Sequence, residues 1–471
     1  MYEDTPNQVS VIPCNPFQIP LYKQIILIIN LICLPNKLIT CIISLWIVYV
    51  NHYATLLNQK YLTFSHNLKG SDEMITGDAS YIKKINRSLI ISKIIEQGMI
   101  SRADLAKITG LNKATISVQA AELVAEELII ETQQEHKNLG RRPIMLSLNH
   151  QAGYSLGIDL DKSVITFTFS DLSGSPIDTH TTEVEASDYS LIVQLLAKQI
   201  THYKQRCSHS PYGLIGVVIG IHGIVNNDET IYFVPHHRWH SKNLKIDLQN
   251  ETGINVYIEN NANLCSFAEI VYKHYQSENL LSVSLYSGIG LGIMVNSKLL
   301  KGSDGYAGEI GHMIIVPDGL PCRCGNHGCW EQYASESSFM RQLSKLHLKE
   351  YVSYYEVNQR LAEKDPVTNK LIQDYIKYLS YGLNNIINLY NPEILVINSE
   401  LLRLYPNALE EIKAYLTSTV GQYRQLEISE FGKNACSMGA CALAIKNFLE
   451  VEELCLSIGE SKNNKNAAFS N

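Results

Sequence analysis

Residues 308–331 read GEIGHMIIVPDGLPCRCGNHGCWE, the densest concentration of metal-ligating side chains in the chain. His312 precedes Cys322 by ten positions, and Cys324 and Cys329 complete a Cys-x-Cys-x4-Cys spacing. Three thiolates and one imidazole form a closed tetrahedral set for Zn2+, the composition of a structural site with no position left for a reactive water. Gly325 and Gly328 permit tight turns between the ligands. Glu309 and Glu331 bracket the same knot, so a metal there would also fix two carboxylates in space. Two alternatives stand beside this reading. The cysteines could be buried free thiols, since cysteine often serves as a small core residue, and His327 inside the loop competes with His312 for the fourth position.

The elements that must position this knot belong to a long chain. At 471 residues it exceeds one ordinary core, so two or three domains are expected. A hydrophobic content of 45% and a charged content of 18% describe a globular protein. Net charge is −7, which excludes a surface that is basic throughout. The segment 81–150 differs, with ten basic against seven acidic residues, so contact with nucleic acid is expected there and nowhere else. Eleven cysteines with no paired spacing outside the knot point to a reducing, cytoplasmic setting.

Four segments follow. Residues 1–73 form an apolar extension whose run 21–50 is broken by Pro35, Asn36 and Lys37. Each half is shorter than the ~20 residues of a membrane span, and a single tilted span would place Pro35 and Lys37 near its centre. Three readings remain for it: a membrane anchor, an extra core element, or sequence upstream of a start at Met74. Residues 80–150 pattern as a winged helix-turn-helix. Apolar positions Ile82, Ile85, Leu89, Ile90, Ile94 and Ile95 predict a helix over 81–97 that Gly98 stops. Ser101-x-x-Asp104 predicts a capping box opening a second helix, and Asn112 caps a third.

In the third helix Ile116, Ala120, Leu123 and Val124 make the inward stripe, leaving Lys113, Thr115, Ser117, Val118 and Gln119 to face outward or sideways. Small polar residues at that helix front suit entry into a major groove. A polar hairpin at 131–140 leads to Arg141 and Arg142, a wing placed to grip phosphate or a minor groove. A tri-helical protein-interaction module is the alternative. Residues 151–457 carry alternating strand and helix patterns with two similar starts, near Gly157 and near Ser284, which implies duplicated α/β lobes. Residues 458–471 are polar and expected to be disordered.

The knot resembles the signature of the ROK family (repressors, open reading frames and sugar kinases), Gly-His-x9-Cys-x-Cys-Gly-x2-Gly-Cys-x-Glu. Gly311, His312, Cys322, Cys324, Gly325, Gly328, Cys329 and Glu331 match it without a gap. The ending Gly140-Arg141-Arg142-Pro143 resembles the amino-terminal domain of that family's repressors. The resemblance implies a two-lobed, actin-like (ribonuclease-H-like) sugar-binding body, a structural zinc held by His312, Cys322, Cys324 and Cys329, and sugar contacts from Asn260, Asn261, Glu309, His312 and Glu331. His222, in the turn Gly220-Ile221-His222-Gly223, falls near the expected sugar.

Kinase chemistry is not expected. Family kinases carry a glycine-rich first phosphate loop, where this chain has Asp159-Leu160-Asp161-Lys162-Ser163. Their catalytic aspartate corresponds to Asn261, an amide that cannot accept a proton at neutral pH. The late Gly-Gly is replaced by Asn398-Ser399-Glu400. The resemblance is strongest to the family's xylose-operon repressors, so the expected protein is a homodimeric, D-xylose-responsive repressor on inverted-repeat, double-stranded operator DNA. Its alternatives are a sugar kinase with a regulatory DNA-binding domain and a membrane-tethered sugar sensor.

Overall fold

Residues 79–133, 144–184 and 188–456 are described by a computed structural model. The apolar run 21–50, the wing with Arg141 and Arg142, and the tail 458–471 lie outside them. From Ile82 onward the chain is one unit, Ile82–Asn471, distinct from Met1–Tyr81. No helix among the described residues is long and apolar enough to cross a membrane.

The first elements follow from local signals. Helix α1 (Ala79–Gln97) buries Ile90, Ile91, Ile94 and Ile95, while Ile82 and Ile85, placed on the same stripe by periodicity, are half exposed. Gly98 closes the helix at φ +72°, a left-handed conformation that glycine adopts without cost. Strand β1 (Ile100–Ser101) leads into α2 (Arg102–Thr109), where Ser101 Oγ accepts from the Asp104 amide at 3.1 Å. Only that arm of the predicted capping box forms. The Asp104 carboxylate instead accepts from the Ser101 hydroxyl at 2.7 Å and from Lys107. Helix α3 (Lys113–Ala125) is capped by Asn112, which accepts from the Thr115 amide at 2.7 Å. Strands β2 (Ile129–Gln133) and β3 (Ile144–Leu148) complete an antiparallel sheet of order β1-β3-β2. Leu105, Ile116, Ala120, Leu123 and Leu146 are fully buried within this group.

The body contains two sheets of one topology. The first is built from β4 (Tyr154–Leu160), β5 (Val164–Asp171), β6 (Pro176–Glu183), β7 (Leu214–Ile221) and β11 (Val256–Asn260), after helix α4 (Tyr189–Arg206), a small sheet of β8 (Ile224–Val225), β9 (Ile231–Val234) and β10 (Trp239–Lys242), and helix α5 (Leu244–Thr252). Its order is β11-β7-β4-β5-β6, with β4, β7 and β11 parallel and β5 and β6 antiparallel. Helix α6 (Asn261–Tyr272) leads to the second sheet, which begins with β12 (Leu280–Ser284), β13 (Gly290–Val295) and β14 (Lys298–Leu299). Helices α7 (Glu331–Ala334), α8 (Glu336–Leu346), α9 (Tyr354–Ala362) and α10 (Pro366–Tyr390) intervene before β15 (Ile394–Asn398). Helices α11 (Glu400–Arg403) and α12 (Ala408–Tyr415), strand β16 (Gln425–Ile428) and helix α13 (Ala435–Leu449) close the chain. The second order, β14-β13-β12-β15-β16, repeats the first, so the duplicated lobes expected from the two starts are present.

Close backbone approach ties the lobes together. A Cβ on Gly157 of β4 would lie 2.0 Å from the Ser437 carbonyl of α13, and one on Gly439 of α13 would lie 1.9 Å from the Leu264 carbonyl of α6. Only glycine lets these elements touch. Helices α6 and α13 also share one hydrophobic cluster with α1–α3, running from Ile90 and Leu123 to Phe267, Val271, Ile445 and Leu449.

Candidate functional site

Parallel pairing aligns the carboxyl ends of β4, β7 and β11, with Asp159, Gly220 and Glu259 side by side in register. In open α/β sheets this edge is where ligands gather, because successive turns and helix starts converge there. The turn after β7 supplies His222, the turn after β4 supplies Asp161, and the β11–α6 junction supplies Asn260 and Asn261.

His222 lies between two carboxylates. Its Nε2 is 2.8 Å from Asp159 Oδ1, and its Nδ1 is 3.6 Å from Asp161 Oδ1. Burial opposes a charge on the ring, but the two aspartates outweigh it and raise the pKa to about 9. The imidazolium is therefore held at neutral pH between Asp159 and Asp161.

Glu259 is buried and fully engaged. Its Oε1 accepts from the Asn260 amide at 2.9 Å and from Asn263 Nδ2 at 3.0 Å, and its Oε2 pairs with Lys301. Asn260 caps α6, its Oδ1 accepting from the Ala262 and Asn263 amides, while its Nδ2 donates to the Gly223 carbonyl at 2.9 Å. Its side chain thus has three protein partners before any ligand arrives. Asn261 opens α6 half buried.

On the other side of the β13 start lies the knot. His312 ends a one-turn helix, Ile310–His312, and its Nδ1 faces Cys322 Sγ at 3.6 Å. Cys324 Sγ and Cys329 Sγ are 3.6 Å apart, and all four donor atoms lie within 4.8 Å of one another. Ligands about 2.3 Å (sulfur) and 2.0–2.1 Å (nitrogen) from a tetrahedral zinc stand roughly 3.5–3.8 Å apart, so these separations fit a cation between them. Exposed His327 is outside the set. Burial pushes the Cys329 thiol up to about 12 without a metal, and a coordinated cation would reverse that shift. Trp330, fully buried, anchors the knot by donating from Nε1 to the Tyr378 carbonyl of α10 at 3.0 Å.

The other nitrogen of His312, Nε2, lies 3.9 Å from Glu309 Oε2. Glu331 Oε1 accepts from Cys322 at 3.2 Å and from Gln332 at 3.2 Å, leaving Oε2 beside Gly288, whose added Cβ would sit 2.9 Å from it. Although its side chain is 45% exposed, Glu309 is desolvated by its crowded surroundings and repelled by Glu331, which raises its pKa against the pull of His312. Glu309, His312 and Glu331 therefore form one group. Asn260 and Asn261 stand across the start of β13, where Gly290 packs on Ala262 and Gly311 packs on Ile289. Gly290 and Gly292 are inside β13. They make room for α6, since a Cβ on Gly292 would meet the Ala262 carbonyl at 2.3 Å.

Two groups went unnoticed in the sequence. Lys301 reaches Glu259 from 42 positions away, and Glu336, 1% exposed, caps the turn after β15. The Glu336 carboxylate accepts from Ser399 Oγ at 2.6 Å, from the Leu401 amide at 2.9 Å and from Tyr354. No local signal marks either pairing. On α3, Lys113, Ser117 and Val118 are exposed and Thr115 is partly so, but Gln119 is buried at 4% exposure and does not face outward. One helical turn from Ile116 and beside Ala120, it falls on the core stripe that a polar residue is expected to avoid.

Residues 155–447 match the ROK family. The chain is 35% identical over 386 residues to the xylose repressor of Bacillus spizizenii, covering 81% of this chain and 100% of that protein. It is 25% identical to the DNA-binding transcriptional dual regulator NagC of Escherichia coli over 69% of this chain and 82% of that one. Among solved structures it is similar to a ROK family transcriptional regulator, a homologue of the Escherichia coli MLC protein. That likeness has a TM-score of 0.67 and 28% identity, and covers 78% of this chain and 96% of that one. A ROK family glucokinase from Streptomyces griseus, solved with glucose and AMPPNP, shares the fold at a TM-score of 0.54 and 24% identity, over 62% of this chain and 99% of that one.

Proposed function

The chain belongs to the ROK family, and from that membership we propose that it is a sugar-responsive transcriptional repressor of a carbohydrate operon, with D-xylose as the effector and no kinase activity. One observation carries the choice between repressor and kinase. The cleft keeps groups that hydrogen-bond hydroxyls, while carboxylates of the chain itself stand in two of the turns where a nucleotide's phosphates would bind. Asp161 with His222 fills the first, and Glu336 fills the second. The glycine-containing turn at 287–290 is the one that keeps a phosphate-turn pattern. Phosphoryl transfer needs donors facing the phosphates and a base for the attacking hydroxyl. Here the carboxylates of Asp159 and Asp161 already engage the His222 imidazolium, Glu336 occupies the turn after β15, and Asn261 stands at the base position.

In this reading α1–α3 with β1–β3 are a winged helix-turn-helix. Lys113, Thr115, Ser117 and Val118 present α3 to the major groove, and Arg141 and Arg142 hold the backbone or minor groove from the wing. Glu309, His312, Glu331 and Asn261 contact the sugar, and Asn260 positions the α6 start. Zn2+ on His312, Cys322, Cys324 and Cys329 stiffens the sugar side, leaving His312 Nε2 for a hydroxyl. A homodimer sets two winged helices on an inverted repeat, and sugar favours one lobe angle. A hundredfold change in operator occupancy requires about 2.7 kcal/mol of such preference. The test is fluorescence anisotropy of the protein on DNA from its own upstream region, at fixed salt, with and without D-xylose. Tight, sequence-selective binding weakened by xylose is expected; absence of specific binding, together with ATP-dependent xylose phosphorylation, would replace repressor with kinase.

A further inference from the structure

A second set of donor groups converges away from the cleft, at the carboxyl end of α6. Glu269 lies in the last turn of the helix, His274 two residues beyond its end, and Glu427 on β16. One donor atom from each lies within 4.8 Å of the others. His274 Nε2 is 2.7 Å from Glu427 Oε1 and 3.9 Å from Glu269 Oε2. The His274 amide donates back to the Glu269 carbonyl at 2.9 Å, which turns the imidazole toward the carboxylates.

The independent sign of a missing partner is Glu269. It is 1% exposed, and neither of its carboxylate oxygens has a hydrogen bond among the described residues. A buried carboxylate without a close donor costs several kcal/mol, so such a group signals an absent ligand or an absent charge. Burial accordingly pushes Glu269 up to about 7, opposed only weakly by the nearby Ser429 hydroxyl and by His274 at 3.9 Å.

Charge points the same way. Lys273 Nζ sits 2.9 Å from both Glu427 and Glu430, and His274 lies 2.7 Å from Glu427, so the nearby cationic groups are taken up by those two carboxylates and none among the described residues is in close contact with Glu269. A groove lined by Lys273, His274, Ser277, Glu393, Arg424 and Gln425 opens beside the cluster and supplies an entry path. We propose that Glu269, His274 and Glu427 form a second metal site, separate from the cysteine knot, that takes a first-row divalent cation such as Zn2+ or Mn2+. One imidazole and two carboxylates are a harder donor set than three thiolates and leave coordination positions to water. The cation would bind the end of α6 to the edge of the second sheet.

Metal-stripped full-length protein, titrated with Co2+ and desalted, tests this by elemental analysis and absorption. The wild type should retain two ions per chain, of which only one gives the thiolate-to-cobalt charge-transfer band. Glu269→Gln, close in shape to the native side chain, and His274→Gln should each retain one ion with that band at full intensity. A wild-type ceiling of one ion per chain overturns the site without recourse to any variant, and so does a second ion that survives both substitutions.

Discussion

His222 shows how one residue sets the character of the cleft. Its imidazolium is favoured by Asp159 and Asp161 over the cost of burial, giving a folded pKa of about 9 against 6.5 for an ordinary histidine. The folded state therefore binds this proton more tightly. Its contribution to stability is complete below pH about 6.5 and disappears as pH climbs through about 9. Thermal melts across that interval should show the wild type losing on the order of 2–3 kcal/mol more than His222→Gln. Parallel pH profiles for the two proteins would remove the ion pair from the account. Asn260 illustrates the reverse, a side chain in the expected place whose hydrogen bonds go first to the α6 cap and to Gly223.

At the scale of an element, the knot is a loop without a regular strand between His312 and Cys329. Isolated bridges pair Ile314 with Cys329 and Pro321 with His327, and backbone hydrogen bonds such as Cys322 N to the Asn326 carbonyl at 2.8 Å and Gly328 N to the Leu320 carbonyl at 2.8 Å hold its turns. Metal binding to such a segment is folding free energy for it. Replacing Cys324, the exposed member, by Ser should lose the zinc and abolish the xylose response. The unaffected Trp330 anchor and α10 core should keep the global melting temperature within several degrees of wild type. Elemental analysis beside anisotropy checks this, and a zinc-free variant that still answers xylose normally would separate the metal from signalling.

For the whole molecule, the shared cluster between α1–α3 and helices α6 and α13 gives the body a physical connection to the first domain. Tyr212 donates to the Glu126 carbonyl at 2.9 Å and stacks edge-on against Phe448 of α13 at 5.0 Å. If the lobe angle is read out through α13, Phe448→Ala should leave sugar affinity and sugar-free operator affinity within about threefold. It should reduce the xylose-dependent change in operator affinity by about 0.5–2 kcal/mol. Calorimetric sugar binding alongside anisotropy distinguishes that result from simple unfolding, which would lower all three.

Much of this was legible in the sequence because the signals are local. The Cys-x-Cys-x4-Cys spacing with His312, the Ser101 and Asn112 caps, the glycine stops and the two similar strand starts each depend on residues a few positions apart. Their geometry follows from chain connectivity. What the tertiary structure decided are pairings across long separations: His222 with Asp159, Glu336 with Ser399, Lys301 with Glu259, and Glu269 with Glu427. The orientation of Gln119 and the packing role of Gly290 and Gly292 belong there too, since both depend on which neighbour arrives from elsewhere in the chain. Spacing along the chain can specify a ligand set or a cap, whereas burial and charge partnership depend on which elements meet in the folded protein.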